Sequence, residues 1–169
     1  KSLLSQKDIL SKNITSVAVS AIGPCMLPVD EKCNPLYSGV LYGVDTRATE
    51  EINYLNELIG KKHIFDFGGN ALTSQSIGPK ILWLKREHPE IFKKAHKIVT
   101  STTFIVQKLT GMCVIDHYSA ANFTPLYDKS KLKWSDSLAP NLIDIEKLPD
   151  LKWTTDIGGY ISEVASKET

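Results

Sequence analysis

The chain has 169 residues, with 20 lysine plus arginine against 19 aspartate plus glutamate and a formal charge of +1. A chain this long fits one domain and buries roughly 70% of the surface its unfolded form exposes, so a core is available without staples. The near-neutral balance leaves no electrostatic footprint for nucleic acid or for an anionic membrane, and the expected partner is small or uncharged.

Cys25, Cys33 and Cys113 are odd in number and widely spaced. Without a Cys-x-x-Cys or a nearby histidine pair they indicate neither a disulfide framework nor a zinc site, and no metal ligand set is expected. No apolar run approaches the ~20 residues of a membrane span, and no charged-then-apolar leader opens the chain. These features read as a soluble, cytoplasmic protein. The chain begins at Lys1 and stops at Thr169 within a polar stretch, which reads as a piece of something longer.

In chain order, residues 3–10 carry a weak helical pattern. The stretch ITSVAVSAIG, residues 14–23, is β-branched and nearly continuous, and Gly23-Pro24 follows it, so a buried strand ending in a turn is expected. CMLPVD predicts a second strand, pushed toward an edge by Pro28, and GVLYGVD predicts a third. Together they predict a β-meander opening a mixed sheet. Ala48, Ile52, Leu55 and Ile59 repeat at four-three-four spacing, with Gly60 as the stop, which predicts an amphipathic helix. Residues 61–78 hold several glycines without periodicity and read as a long loop, of the kind that often binds ligands.

A largely buried helix is predicted from Gly78-Pro79 through Trp83 and Leu84, and His88-Pro89 closes it and opens a short helix. KIVTS predicts a brief strand, Ser101 a helix cap, Gly111 a left-handed helix end and MCVID another strand. The remainder holds short helices at best. Strands separated by helices give an α/β or α+β domain.

Chemistry is not carried by any self-contained motif. Phosphate loops, dinucleotide fingerprints, nucleophile elbows and zinc-protease helices are all absent. Two turns remain as candidates: SAIGPC, with Gly23 and Pro24, and VDTR, with Asp45 and Arg47. If both follow parallel strands, both lie at the sheet edge where α/β proteins hold ligands. Asp45 alone reads equally well as a helix N-cap. Arg47 at a helix N-terminus opposes the dipole, so a fixed pairing with Asp45 or a neighbouring carboxylate is the simplest reason for it. Trp83, Trp134 and Trp153 read as core or domain-contact aromatics.

DTR at 45–47, GNALT at 69–73, PKILWL at 79–84, LTG at 109–111 and WSD at 134–136 occur in order. With their flanking residues they resemble the amino-terminal domain of the FGGY carbohydrate kinases, and most of all its xylulose-kinase-like members. The resemblance implies a ribonuclease H-like (actin-like ATPase) α/β fold, here incomplete, with a mixed sheet flanked by helices. It implies an enzyme that phosphorylates a sugar hydroxyl with ATP and Mg2+, residues 1–169 being part of the sugar-binding domain and the ATP-binding domain lying outside the chain. The family's glycine-rich phosphate hairpin is missing, and its general base is expected beyond Thr169, so the 169 residues alone are expected to be catalytically inactive.

The resemblance also implies sugar contacts from Gly23, Pro24, Asp45, Arg47 and Gln75. Gly23-Pro24 departs from the side chains other family members place there, which leaves the sugar open; the family's aromatic before Asp45 is lost or displaced to Tyr42. Asp116, His117 and Tyr118 sit where the family has a segment near the implied cleft. Partners are then a sugar and ATP, with a homodimer compatible because exposed sheet edges favour association. The alternative kept beside this is a catalytically inactive FGGY-like binding or assembly module.

Overall fold

The computed structural model describes residue 6, residues 10–40 and residues 43–168. The helix expected over residues 3–10 lies almost wholly outside the described residues, and so does Tyr42. A single 3-10 turn, Ser11–Asn13, opens the described chain.

The expected strand at residues 14–23 is not formed. Ile14, Val17 and Ile22 are exposed, and among the described residues this stretch joins no ladder. β-branched composition favours a pleated, half-buried surface, but a strand exists only where a neighbour accepts its backbone groups. The second strand is formed: β1, Leu27–Val29, pairs antiparallel with β2, Lys97–Val99, in the register Leu27↔Val99, Pro28↔Ile98 and Val29↔Lys97. Pro28 is tolerated because its other side meets only a loop, where its carbonyl accepts from Leu36 N at 2.9 Å. Of the third strand a bridge between Val40 and Met26 remains before Gly43 turns the chain at φ 72°. Among the described residues the meander is therefore a hairpin-like fragment, not three strands.

Helices form where apolar spacing demands them. α1, Thr49–Ile59, buries Leu55 and stops at Gly60, as its spacing predicts. The expected long loop instead contains α2, Lys61–Gly68, which buries Ile64. Gly60 (φ 90°) and Gly69 (φ 84°) are the junctions that separate α2 from its neighbours, so these two glycines bound a helix where they read as breaking one. α3, Ile77–Glu87, and α4, Pro89–Lys94, follow with Pro79 and Pro89 in their first turns. α5, Ser101–Thr110, ends at Gly111 in the left-handed conformation. Its cap is Thr100, whose side chain accepts from Thr103 N; Ser101 is inside the helix.

β3, Val114–Asp116, pairs parallel with β6, Asp150–Lys152. Between them come α6, His117–Ala120, and the antiparallel pair β4, Tyr127–Asp128, with β5, Lys133–Trp134. α7, Glu163–Glu168, closes the described chain. The architecture is thus mixed α/β, but its described strands form three two-stranded sheets and not one continuous sheet.

α3 is the spine of the main core. Ile77, Ile81 and Leu84 are fully buried with Met26, Leu55, Ile98 and Phe123, each side chain contributing about 1.5–3 kcal/mol by burial. Gly78 lets the first turn of α3 lie directly on the Thr124–Pro125 backbone, since a Cβ there would sit 2.3 Å from the Thr124 carbonyl oxygen. No helix among the described residues is long and apolar enough to cross a membrane.

Candidate functional site

The Asp45–Arg47 turn is built by its own side chains. Asp45 Oδ1 accepts from Arg47 Nε at 2.8 Å and from Arg47 N at 3.3 Å. Asp45 is therefore not the cap of α1, which starts after Ala48 with no side-chain cap. Thr49 closes the turn, its hydroxyl donating to the Thr46 carbonyl at 2.7 Å. The fixed pairing that explains a cation so near a helix start is present, and Arg47 lies just outside the first turn where the dipole would oppose it.

Arg47 has a second partner. Its guanidinium lies over the Trp83 ring, 4.7 Å from the centroid, and Trp83 in turn meets Tyr37 and His88. A cation–π contact plus a charge-assisted hydrogen bond leaves the side chain little rotamer freedom; it is 34% exposed and that of Asp45 13%. Burial opposes the charge on Asp45, but the hydrogen bonds and charge of Arg47, with the charge of Lys80, outweigh it and hold the carboxyl below its usual value. The hydrogen bond to Asp45 raises the Arg47 guanidinium further, against burial, and Tyr37 adds to this.

Gln75 reaches the same neighbourhood by a tether. Ser74 Oγ donates to the Gly43 carbonyl at 3.1 Å, fastening the loop before α3 to the turn that carries Asp45. Within the loop, Gln75 N donates to Thr73 Oγ1 at 3.2 Å and Thr73 N to Ser76 Oγ at 3.0 Å. Its backbone is thus held while its side chain is exposed.

Gly23 and Pro24 stand on another support. Ser101 Oγ donates to the Ile22 carbonyl at 2.6 Å, Ala21 N donates to Thr102 Oγ1 at 3.3 Å, and Ser101 N donates to the buried Cys25 Sγ at 3.1 Å. That turn rests on the first turn of α5. It offers backbone, not side chains, to any ligand.

Sequence reasoning passed over Lys80. It sits on α3 with no exposed surface, among the buried positions Ile77, Ile81 and Leu84. Lys80 lines a pinched space with Asp45, Thr46, Ser74 and Ser76 that is too tight for a water molecule. Burial pushes its ammonium down, while Asp45 and Cys25 favour the charged form and Arg47 disfavours it. The signal was available, because positions 77, 80, 81 and 84 are one helical face and only one of them is charged.

Of the other candidates, Asp116 caps α6 by accepting from Ser119 N at 2.9 Å, and His117 Nδ1 lies 2.8 Å from the Tyr127 hydroxyl. Asp116 borders a separate groove of about 540 Å³ between residues 15–19, α5 and residues 152–161. Trp134 is half-buried against the core and donates to the Pro149 carbonyl, whereas Trp153 is 54% exposed. All three cysteines are free thiols. Among the described residues no three His, Cys, Asp or Glu gather where they could hold a metal ion.

Comparison with known proteins adds to this geometry. Residues 1–169 match the model of the FGGY family of carbohydrate kinases, N-terminal domain. The xylulose kinase of Lactococcus lactis is 25% identical over 158 residues, covering 92% of this chain and 31% of the relative. The autoinducer-2 kinase of Salmonella typhimurium is 26% identical over 164 residues, again 92% of this chain and 30% of the relative. Among solved structures, the gluconate kinase of Lactobacillus acidophilus superimposes with a TM-score of 0.82 at 23% identity, over 92% of this chain and 31% of that one. The chain thus spans about a third of the length of the relatives it matches.

Proposed function

Because this chain belongs to the FGGY family of carbohydrate kinases, we propose that it forms the sugar-holding side of a longer, cytoplasmic, ATP-dependent enzyme that phosphorylates a sugar hydroxyl, with a pentulose such as xylulose as the acceptor class. The observation that carries this reading is the Asp45–Arg47 turn: a guanidinium fixed at 2.8 Å by its carboxylate and set over Trp83, yet 34% exposed, beside a tethered loop that presents Gln75. Neutral polyols are recognised by such fixed donors and acceptors. The N–H groups of Arg47 donate to hydroxyl oxygens, and the Gln75 amide both donates and accepts. Gly23 and Pro24 supply backbone at the other turn.

Phosphoryl transfer depends mainly on positioning and on neutralising phosphate charge, to which Mg2+ bound with ATP contributes. We assign the nucleotide, its metal and the general base to the part of the longer protein outside this chain. The role of these residues is to bind and orient the acceptor.

The test is a panel of xylulose, glycerol and gluconate offered with ATP and Mg2+ to the full-length polypeptide that contains this chain. Phosphorylation of a panel member by the full-length protein, with none by the 169-residue chain, is the expected result. No phosphorylation of any member would instead favour a non-catalytic binding module.

A further inference from the structure

The two candidate turns are carried by different elements, one by α5 and one by the start of α1. Behind the second lies Lys80. From the buried face of α3 it lines one tight space with Asp45, Thr46, Ser74 and Ser76. Three residues further along α3, Trp83 receives the guanidinium of Arg47. Positions three apart share a helix face, so one short stretch of α3 addresses both members of the Asp45–Arg47 pair. Lys80 has no exposed surface and shares this tight lining with Asp45, so solvent screens its charge little.

We propose that Lys80 is a positioning residue of the sugar site: its buried charge holds the Asp45 carboxylate from behind, so that Asp45 fixes Arg47 over Trp83. It touches no substrate. The proposal rests on the sugar-site reading above, and it explains why a lysine occupies a core position, where an isolated charge is costly unless a partner holds it.

Lys80 senses Asp45, Arg47 and Cys25; at the far end of α3 the Arg86–Glu51 pair faces α1, and Tyr37 and His88 face Trp83. Two measurements separate positioning from mere structure. In the full-length polypeptide carrying Tyr37→Phe, with every tryptophan other than Trp83 replaced by phenylalanine, the emission of Trp83 reports the Arg47 contact. Raising the pH neutralises Lys80 below the ordinary lysine value of 10.5 and shifts that emission. Lys80→Arg removes the transition while keeping the neutral-pH spectrum, and Lys80→Met gives the shifted spectrum at every pH. If Lys80→Met reproduces the parent profile, the proposal fails whatever the protein phosphorylates.

In the full-length enzyme, Lys80→Met raises the KM for the sugar about tenfold and leaves the KM for ATP within about twofold, while Lys80→Arg recovers most of the loss. Equal loss on both substrates, or no rescue by arginine, overturns the positioning role. A full-length protein that phosphorylates nothing defeats the functional reading instead, and the Trp83 profile still decides the role of Lys80. Should Lys80→Met fail to fold, Lys80→Gln and Lys80→Arg carry both measurements.

Discussion

The turn at Asp45–Arg47 and the turn at Gly23–Pro24 were equal candidates, yet they are held in opposite ways. The first is locked by side chains: a 2.8 Å ion pair, an arginine on a tryptophan and a serine tether. The second is held from below by Ser101 and Thr102 of α5, and it projects no side-chain donor of its own. A rigid site needs its polar groups fixed before the ligand arrives, and only the first turn meets that condition with side chains. Discrimination among sugars should therefore reside at Arg47 and Gln75, with the second turn shaping the space.

The largest disturbance of that arrangement should come from beneath it. Gly78→Ala places a Cβ 2.3 Å from the Thr124 carbonyl oxygen and displaces the helix that carries Lys80 and Trp83. It should destabilise the chain by about 1–3 kcal/mol, read as a lowered urea midpoint with unchanged slope; an unchanged midpoint would show that α3 is not pressed on Thr124.

Asp45→Asn should cost about 1 kcal/mol, the value of a charge-assisted hydrogen bond discounted for the exposure of Arg47. Its pH signature is more specific. Asp45 is held below its usual 3.8 in the folded chain, so its stabilisation is fully present above that value and is lost as pH falls through the folded value. Between about pH 4 and 2 the wild type should lose stability more steeply than Asp45→Asn. Parallel curves would mean that the pairing contributes nothing to the fold.

Ser101→Ala removes the 2.6 Å hydrogen bond to the Ile22 carbonyl, which is partly solvent-exposed. A loss of about 0.5–1 kcal/mol is expected, together with faster amide exchange confined to residues 20–25. If exchange also quickens at residues 43–47, the two turns are coupled and not held independently.

What was legible in the residues divides along the same lines. α1, α3 and α5 were readable because 3.6-residue periodicity is imposed by a face that must be buried, and their glycine and proline boundaries have local causes. Residues 14–23 misled because β-branched composition states a preference but cannot supply a ladder partner. α2 was hidden by glycines that serve as its junctions. At the site, the pairing of Asp45 with Arg47 followed from the electrostatic misfit of a cation at a helix start. The capping role was wrong, since Asp45 turns back on Arg47 and Ala48 precedes the helix. Lys80 was visible as a charge on an apolar stripe, but its relation to Asp45 needed the fold, because residues 45 and 80 come together only through tertiary packing.

The most direct measurement is a pair of Michaelis constants for Arg47→Ala in the full-length enzyme, one for the sugar and one for ATP. The account predicts that the sugar KM rises about tenfold or more while the ATP KM stays within about twofold, because Arg47 belongs to the acceptor side alone. A rise in the ATP constant with the sugar constant unchanged would contradict it.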